Sequence, residues 1–176
     1  MRIMFVCTGN ICRSPLAHRM LEKQAVERGL DTRIEVESSG TDAWHVGEDV
    51  DSRMRQTAAR HGLDVRHRAR KLTKDDLTTY DLIFAMSHGH LRAIRSMSRS
   101  VNVHLFREFD PAVRDSSAPP DTPDPYYGGD EGFEEVYQIA QRTCAAILDA
   151  LENGTLHEEQ TGAGSEHIRT KDSSRR

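Results

Sequence analysis

Short β-favouring runs alternate with helical segments along most of this chain. The first unit opens with the apolar run 2–6, which stops at a loop rich in glycine and asparagine, residues that permit unusual backbone angles. Ser14 followed by Pro15 is typical of an N-cap with proline at the first helical position, and the apolar stripe behind it ends near Gly29. We therefore predict that the chain opens with a strand, a loop and a helix.

The alternation continues to about residue 151. Further strands are predicted at 34–38, 82–86 and 101–105, and helices at 51–60, 90–97 and 133–151, with an N-cap at Thr73 before a short acidic turn. Strands separated by helices form parallel sheets with right-handed crossovers. The predicted fold is α/β: a three-layer α/β/α arrangement with a four-stranded parallel sheet and helices on both faces. Ligands of such folds bind beyond the carboxyl ends of the strands, where Cys7 lies.

One long loop interrupts this pattern. Residues 107–129 hold all but one of the six prolines together with many aspartates. Long loops in compact domains are often functional, so we expect this one to contribute to a site.

The length and composition indicate one domain and a tail. The chain has 176 residues, of which 36% are hydrophobic and 30% charged. Residues 155–176 contain few apolar side chains and cannot repay the entropy of ordering. We predict a domain at 1–154 and a disordered polar C-terminal tail at 155–176.

Composition also argues against several classes of protein. No apolar run approaches the ~20 residues needed to cross a bilayer, so we expect no membrane insertion and a cytoplasmic location. Three cysteines without disulfide-framework spacing suit a reducing compartment, and nine histidines show no zinc-site spacing, so no metal is expected. A net charge of -4 argues against nucleic-acid binding.

The segment 7–14 reads Cys-Thr-Gly-Asn-Ile-Cys-Arg-Ser and joins the first strand to the first helix. Backbone N–H groups converging before a helix N-terminus bind anions, and the same environment favours the thiolate that a nucleophile requires. Arg13 can grip two oxygens of a transferring phosphoryl group. Because the Gly-x-x-x-x-Gly-Lys-Ser/Thr motif is absent, the sequence favours phosphoryl transfer on Cys7. A buried strand-end cysteine with a surface arginine remains the alternative.

Expulsion of a phenolate also needs a proton donor. Asp110, Asp121 and Asp124 all lie near prolines in the long loop. Only Asp124 continues into Tyr126 and Tyr127, whose rings could line a slot for an aromatic substrate. We therefore predict Asp124 as general acid.

Segments 6–15 and 124–128 together resemble the low-molecular-weight protein tyrosine phosphatase family, and the resemblance extends from residue 1 to about 153. It implies that Cys7 is the nucleophile, that Arg13 binds phosphate and that Asp124 acts as acid and then as base. The implied substrates are phosphotyrosine-containing proteins, handled by a monomer without a cofactor. The implied binding residues are Thr8, Gly9, Asn10, Ile11, Cys12 and Ser14 in the loop, with Trp44, Tyr126 and Tyr127 as walls of the cleft.

The resemblance also implies roles for individual residues around the reacting groups. Asn10 and Ser14 would hold the loop and the thiolate, and Ile11 resembles the apolar residue of tyrosine-specific members rather than the threonine of phosphoarginine-specific ones. Cys12 could capture oxidised Cys7 as a reversible disulfide. His67 matches a position that contributes hydrogen bonds in some members, but we leave it out of the predicted site.

The chain departs from the family pattern at 86–90, where Met-Ser-His-Gly-His replaces the Met-Asp-x-x-Asn of many members. Two other functions stay open. A thiol-dependent arsenate reductase of the same fold would need further cysteines, and only Cys12 and Cys144 are available. A non-catalytic phosphate-binding or redox-sensing module would need only the loop.

Overall fold

The structure is a computed structural model that describes residues 1–113 and 115–156. It contains one parallel sheet with the strand order β2-β1-β3-β4. The strands are β1 (Arg2–Cys7), β2 (Glu35–Gly40), β3 (Leu82–Ala85) and β4 (Val103–Leu105). The predicted four-stranded parallel α/β sheet is confirmed.

Helices cover both faces of the sheet. They are α1 (Arg13–Glu27), α2 (Ser52–Arg60), α3 (Asp76–Thr79), α4 (His88–Met97) and α5 (Asp130–Glu152). Side chains of β1 alternate between two cores: Ile3 and Phe5 pack with α1, α2 and α5, whereas Met4 and Val6 pack with α3 and α4. The three-layer arrangement follows from this burial on both faces.

The helix starts differ from the prediction by one to three residues, and α4 begins at His88 instead of residue 90. Helix α1 begins at Arg13 and is capped by Cys12 without a side-chain hydrogen bond, so Ser14 lies inside the first turn instead of capping it. Helix α5 begins at Asp130, three residues before Phe133, with acidic residues in its first turn.

The predicted loop at 107–129 is shorter than expected at its start because a 3₁₀ helix covers Phe106–Phe109.

The loop is held to the domain by the fully buried carboxylate of Asp110. Arg107 Nε donates to Asp110 Oδ2 over 3.0 Å, and Arg142 on α5 donates to Asp110 Oδ1 over 2.6 Å. Burial alone would raise the pKa of Asp110, but the hydrogen bonds, led by that from Arg142, outweigh it and lower the pKa. Arg107 Nη1 also donates to the carbonyl of Asp121, at 3.4 Å, which holds the part of the loop that leads to Asp124.

The last two described residues pack against α5. Leu156 is buried, and its N–H donates to the carbonyl of Ala150 over 3.2 Å. The packed unit therefore continues to Leu156, two residues past the predicted domain boundary at 154. The rest of the predicted tail, residues 157–176, lies outside the described residues.

Within residues 1–113 and 115–156, none of the helices combines the length and the apolar character required to cross a membrane.

Candidate active site

The loop formed by residues 7–13, here called the Cys7 loop, leaves the carboxyl end of β1 and leads into α1. Its backbone turns at Asn10, which adopts φ 58°. Asparagine tolerates this left-handed region better than most residues. The neighbouring end of β2 must also come close, because a Cβ on Gly40 would lie 2.5 Å from the carbonyl oxygen of Thr8.

The buried side chain of Asn10 uses both its donor and its acceptor to hold the loop. Its Nδ2 donates to Ser14 Oγ over 2.9 Å and to Ser38 Oγ over 3.0 Å. Its Oδ1 accepts from the backbone N–H of Arg70 over 2.9 Å and from His67 Nε2 over 2.7 Å. The loop shape is therefore fixed by hydrogen bonds from three other segments.

His67 joins this network although it was left out of the predicted site. Burial, with smaller contributions from His18, Arg19 and Arg70, lowers the pKa of His67 to about 4. A neutral imidazole with its proton on Nε2 is the form that donates to Asn10.

Ser14 lies directly beside the predicted nucleophile. The sulfur of Cys7 is buried and lies 3.0 Å from Ser14 Oγ. Because that hydroxyl oxygen already accepts the amide of Asn10, its own proton can point at the sulfur. Ser14 is therefore placed to donate a hydrogen bond to the sulfur of Cys7.

Arg13 brings the two motifs of the sequence together. The residue is 6% exposed, which is inconsistent with the alternative of a surface arginine. Nη1 donates to the carbonyl of Thr122 over 3.2 Å, and Nη2 donates to Asp124 Oδ2 over 3.1 Å. Nη2 also lies 3.4 Å from Thr8 Oγ1. The long loop thus places Asp124 beside the Cys7 loop.

These groups line one small cavity of about 60 Å³. Ten of the twelve predicted site residues lie on its wall, while Asn10 and Ser14 support the loop from behind. The lining residues are Cys7, Thr8, Gly9, Ile11, Cys12, Arg13, Trp44, His45, Asp124, Tyr126 and Tyr127.

The rim of the cavity is aromatic. Trp44 and Tyr127 are 75% and 89% exposed, and the rings of Tyr126 and Tyr127 meet edge to face at 5.0 Å. Exposed aromatic side chains beside a cavity can stack on a planar substrate.

Two histidines lie at the site although the sequence analysis did not predict them there. His45 lines the cavity, and its Nδ1 bonds Glu48 Oε2 at 2.7 Å. His90 contacts the hydroxyl of Thr8 at 2.8 Å through Nε2. His90 follows β3, the neighbour of β1, so the carboxyl-edge rule for parallel strands could have placed it near the Cys7 loop.

The two remaining cysteines differ in position. Cys12 lines the cavity, and burial raises the pKa of its thiol. Cys144 is fully buried on α5 with Sγ 3.6 Å from the carbonyl of Ala17, and burial raises its pKa too. Cys144 is therefore placed for packing between α5 and α1.

No metal-binding cluster of three or more His, Cys, Asp or Glu side chains occurs in the part of the chain that the structure describes.

Comparison with known proteins agrees with this geometry. Residues 2–158 match the family model for low molecular weight phosphotyrosine protein phosphatases. A low molecular weight protein-tyrosine-phosphatase of Streptomyces coelicolor is 40% identical over 154 residues, which are 85% of this chain and 93% of that protein.

Solved structures show the same likeness. The protein tyrosine phosphatase of Entamoeba histolytica, with Hepes in its active site, has a TM-score of 0.80 at 31% identity and covers 89% of this chain and 99% of its own. A Drosophila arginine phosphatase has a TM-score of 0.79 at 30% identity over 86% of this chain and 98% of its own. The chain therefore belongs to the low molecular weight phosphotyrosine protein phosphatase family, which makes it a protein phosphatase of the hydrolase class.

Proposed function

We propose that the protein hydrolyses phosphotyrosine in proteins through a phosphocysteine on Cys7, with Arg13 binding the phosphoryl group and Asp124 transferring protons. The observation that carries this proposal is the convergence of these three side chains on one cavity, although Asp124 lies far along the chain from the other two. Nucleophile, anion-binding group and proton donor then act within one small space.

In the first step the sulfur of Cys7 attacks phosphorus and the bond to the tyrosine oxygen breaks. Asp124, as a carboxylic acid, gives its proton to the departing phenolate. Arg13 and the N–H groups of the Cys7 loop stabilise the charge on the equatorial oxygens.

In the second step water attacks the phosphocysteine. Asp124, now a carboxylate, accepts a proton from that water, and the sulfur leaves as a thiolate. Ser14 lies 3.0 Å from the sulfur and stabilises this leaving group by hydrogen bonding. Inorganic phosphate is the product.

The contact between Arg13 and Asp124 couples substrate binding to proton transfer. A phosphoryl dianion competes with the Asp124 carboxylate for Arg13 Nη2, which is 3.1 Å from Oδ2. The phosphoryl group therefore takes the place of Asp124 at Arg13 Nη2, which frees the carboxyl group to contact the leaving oxygen.

The aromatic rim favours a phenyl phosphate as substrate. The Drosophila arginine phosphatase shares the fold, which makes phosphoarginine the second candidate. Ile11 on the cavity wall supports tyrosine, because its apolar side chain resembles that of tyrosine-specific members.

The two other candidate functions have less support. An arsenate reductase needs a relay of thiols, and the Cys144 thiol is buried against α1. A binding module without turnover gives no reason for an aspartate beside the phosphate-binding arginine. The disulfide between Cys12 and oxidised Cys7 remains a prediction, tested by recovery of a Cys12→Ser variant after peroxide and thiol treatment.

Hydrolysis of p-nitrophenyl phosphate at mildly acidic pH without added metal tests the mechanism. We expect no activity from Cys7→Ser and a kcat lowered about 10²-fold or more in Asp124→Asn. Asp115→Asn, which changes an exposed aspartate of the same loop, is the matched control and keeps its activity. Phosphate-ester hydrolysis by Cys7→Ser would contradict the covalent mechanism.

Substrate class is tested with phosphotyrosine, phosphoserine and phosphoarginine peptides of one sequence. We expect phosphotyrosine to have the highest kcat/KM. A preference for phosphoarginine would replace the proposed substrate, and an inactive but folded protein would favour the binding module.

We also propose that the protein acts in the cytoplasm as a monomer and does not bind nucleic acid. Cell fractionation, sedimentation analysis and a DNA-binding titration check these three points. We further propose that the rest of the predicted tail, residues 157–176, lies outside the domain, and limited proteolysis checks this point.

A further inference from the structure

The N-terminal turn of α4 reaches the Cys7 loop through one buried imidazole. Ser87 caps α4, since its Oγ accepts the backbone N–H of His90 over 3.2 Å. The His90 ring lies between the start of α4 and the Cys7 loop. Its Nδ1 lies 2.8 Å from Ser87 Oγ and its Nε2 lies 2.8 Å from Thr8 Oγ1. The side chain is 7% exposed.

The direction of these hydrogen bonds follows from Arg13, which can only donate. Arg13 Nη2 donates to Thr8 Oγ1 over 3.4 Å, so the hydroxyl proton of Thr8 is free to donate to His90 Nε2. His90 then carries its proton on Nδ1 and donates to Ser87 Oγ. The positive guanidinium favours this tautomer, because the tautomer turns the lone pair of Nε2 toward the cation.

The surroundings keep His90 neutral near pH 7. Burial, followed by the charge of Arg13, lowers its pKa to about 4, and the opposing carboxylates of Asp121, Asp124 and Asp42 are outweighed. Neutral imidazole has the lone pair that accepts from Thr8, whereas imidazolium has none.

Arg13 has three protein acceptors in the structure, and substrate competes for one of them. Thr122 holds Nη1, while Asp124 and Thr8 share Nη2. A phosphoryl group that takes the place of the Asp124 carboxylate leaves Thr8 as the protein acceptor on the Nη2 side. The orientation of the guanidinium at that moment depends on the Thr122 carbonyl at Nη1 and on the hydroxyl of Thr8 at Nη2.

We propose that His90 is a positioning residue for Arg13: it fixes the Thr8 hydroxyl so that the guanidinium keeps its orientation when a phosphoryl group displaces Asp124. The inference rests on the proposed function of Arg13 and deepens it. It also gives a role to the 86–90 segment, in which this chain departs from the pattern of many family members.

Two substitutions of His90 separate this role from packing. The side-chain oxygen of glutamine can reach the place of Nε2, so His90→Gln keeps an acceptor for Thr8. The shorter asparagine reaches the place of Nδ1, so His90→Asn keeps the contact with Ser87 and loses the one with Thr8. Thr8→Val removes the hydroxyl from the other side at nearly constant volume.

Steady-state hydrolysis of p-nitrophenyl phosphate by these variants tests the inference. We expect His90→Asn and Thr8→Val each to lower kcat roughly tenfold, because each removes a hydrogen bond of the chain that ends at the Arg13 cation, with a smaller change in KM. His90→Gln keeps most of the wild-type kcat. The double variant Thr8→Val/His90→Asn is no slower than the slower single variant, because both changes remove the same hydrogen-bond chain.

The opposite results overturn the inference. It is wrong if His90→Asn and Thr8→Val keep the wild-type kcat, or if His90→Gln is as slow as His90→Asn. Thermal unfolding of each variant checks that it is folded, and Thr8→Val alone decides if His90→Asn does not fold. A wild type without Cys7-dependent hydrolysis would overturn the proposed function itself, which separates the two failures.

Discussion

Replacing Asp110 with asparagine tests how the long loop is held. The carboxylate is fully buried, and its partner Arg107 is 9% exposed. Removing the negative charge leaves the Arg107 cation in the interior without its counter-ion, which costs about 3–5 kcal/mol in buried pairs. Arg142, the other partner, is 35% exposed at its side chain and regains water, so most of the loss arises at Arg107.

The magnitude is measured by urea unfolding monitored by circular dichroism. We expect Asp110→Asn to lower the free energy of unfolding by about 3–5 kcal/mol and the Tm by roughly 10 °C. Because Arg107 also holds the carbonyl of Asp121, we expect kcat to fall as the position of Asp124 loosens. Asp115→Asn on the exposed part of the loop should change stability by less than about 0.5 kcal/mol.

The reasoning is refuted if Asp110→Asn costs less than about 1 kcal/mol, since the buried arginine would then need no counter-ion. A similar loss in Asp115→Asn would show that the loop responds to any change of charge.

Three further predictions follow from the same contacts. Ser14→Ala should lower kcat roughly tenfold, because the thiolate loses a hydrogen-bond donor at 3.0 Å; an unchanged kcat in the p-nitrophenyl phosphate assay would contradict this. Asp76→Asn should cost about 1–2 kcal/mol in urea unfolding, because it breaks a two-bond ion pair with half-buried Arg70 at 2.9 and 3.1 Å; no shift in the unfolding midpoint would mean that water replaces the pair. Finally, the pKa of His90 is about 4 in the folded protein and near 6.5 in the unfolded chain, so the unfolded state binds more protons between these values and the protein loses stability as the pH drops through this range. His90 should account for about 2 kcal/mol of the loss between pH 7 and pH 5, and His90→Gln should show a smaller loss than wild type.

The sheet could be predicted because its central strands are buried on both faces. Uninterrupted apolar runs such as Leu82–Ala85 are typical of that environment, and their alternation with helical stripes specifies parallel connections. The start of α1 could not be predicted in the same way. Ser14 is a favoured N-cap residue by local rules, but in the fold its hydroxyl serves Cys7 and Asn10. A tertiary contact thus overrides a local preference.

The three side chains proposed to react could be predicted from their motifs, and the structure places them on one cavity, whereas the residues that support them could not be predicted. Cys7 and Arg13 share one short segment, and Asp124 is marked by the tyrosines after it. His45 and His90 belong to no motif near these residues. Their positions depend on which strand lies beside β1, and that order is a property of the whole sheet.

The central place of β1 in the sheet has a consequence for how the protein folds. Both neighbours of β1 and the helix that covers α1 come later in the chain, with α5 ending at Glu152. The pairings that shape the Cys7 loop therefore join residues far apart in sequence, and such contacts form slowly because the intervening chain must first lose entropy. During synthesis on a ribosome, more than a hundred residues must follow the Cys7 loop before its surroundings are complete. We expect the emerging chain to acquire phosphatase activity only when α5 has left the exit tunnel.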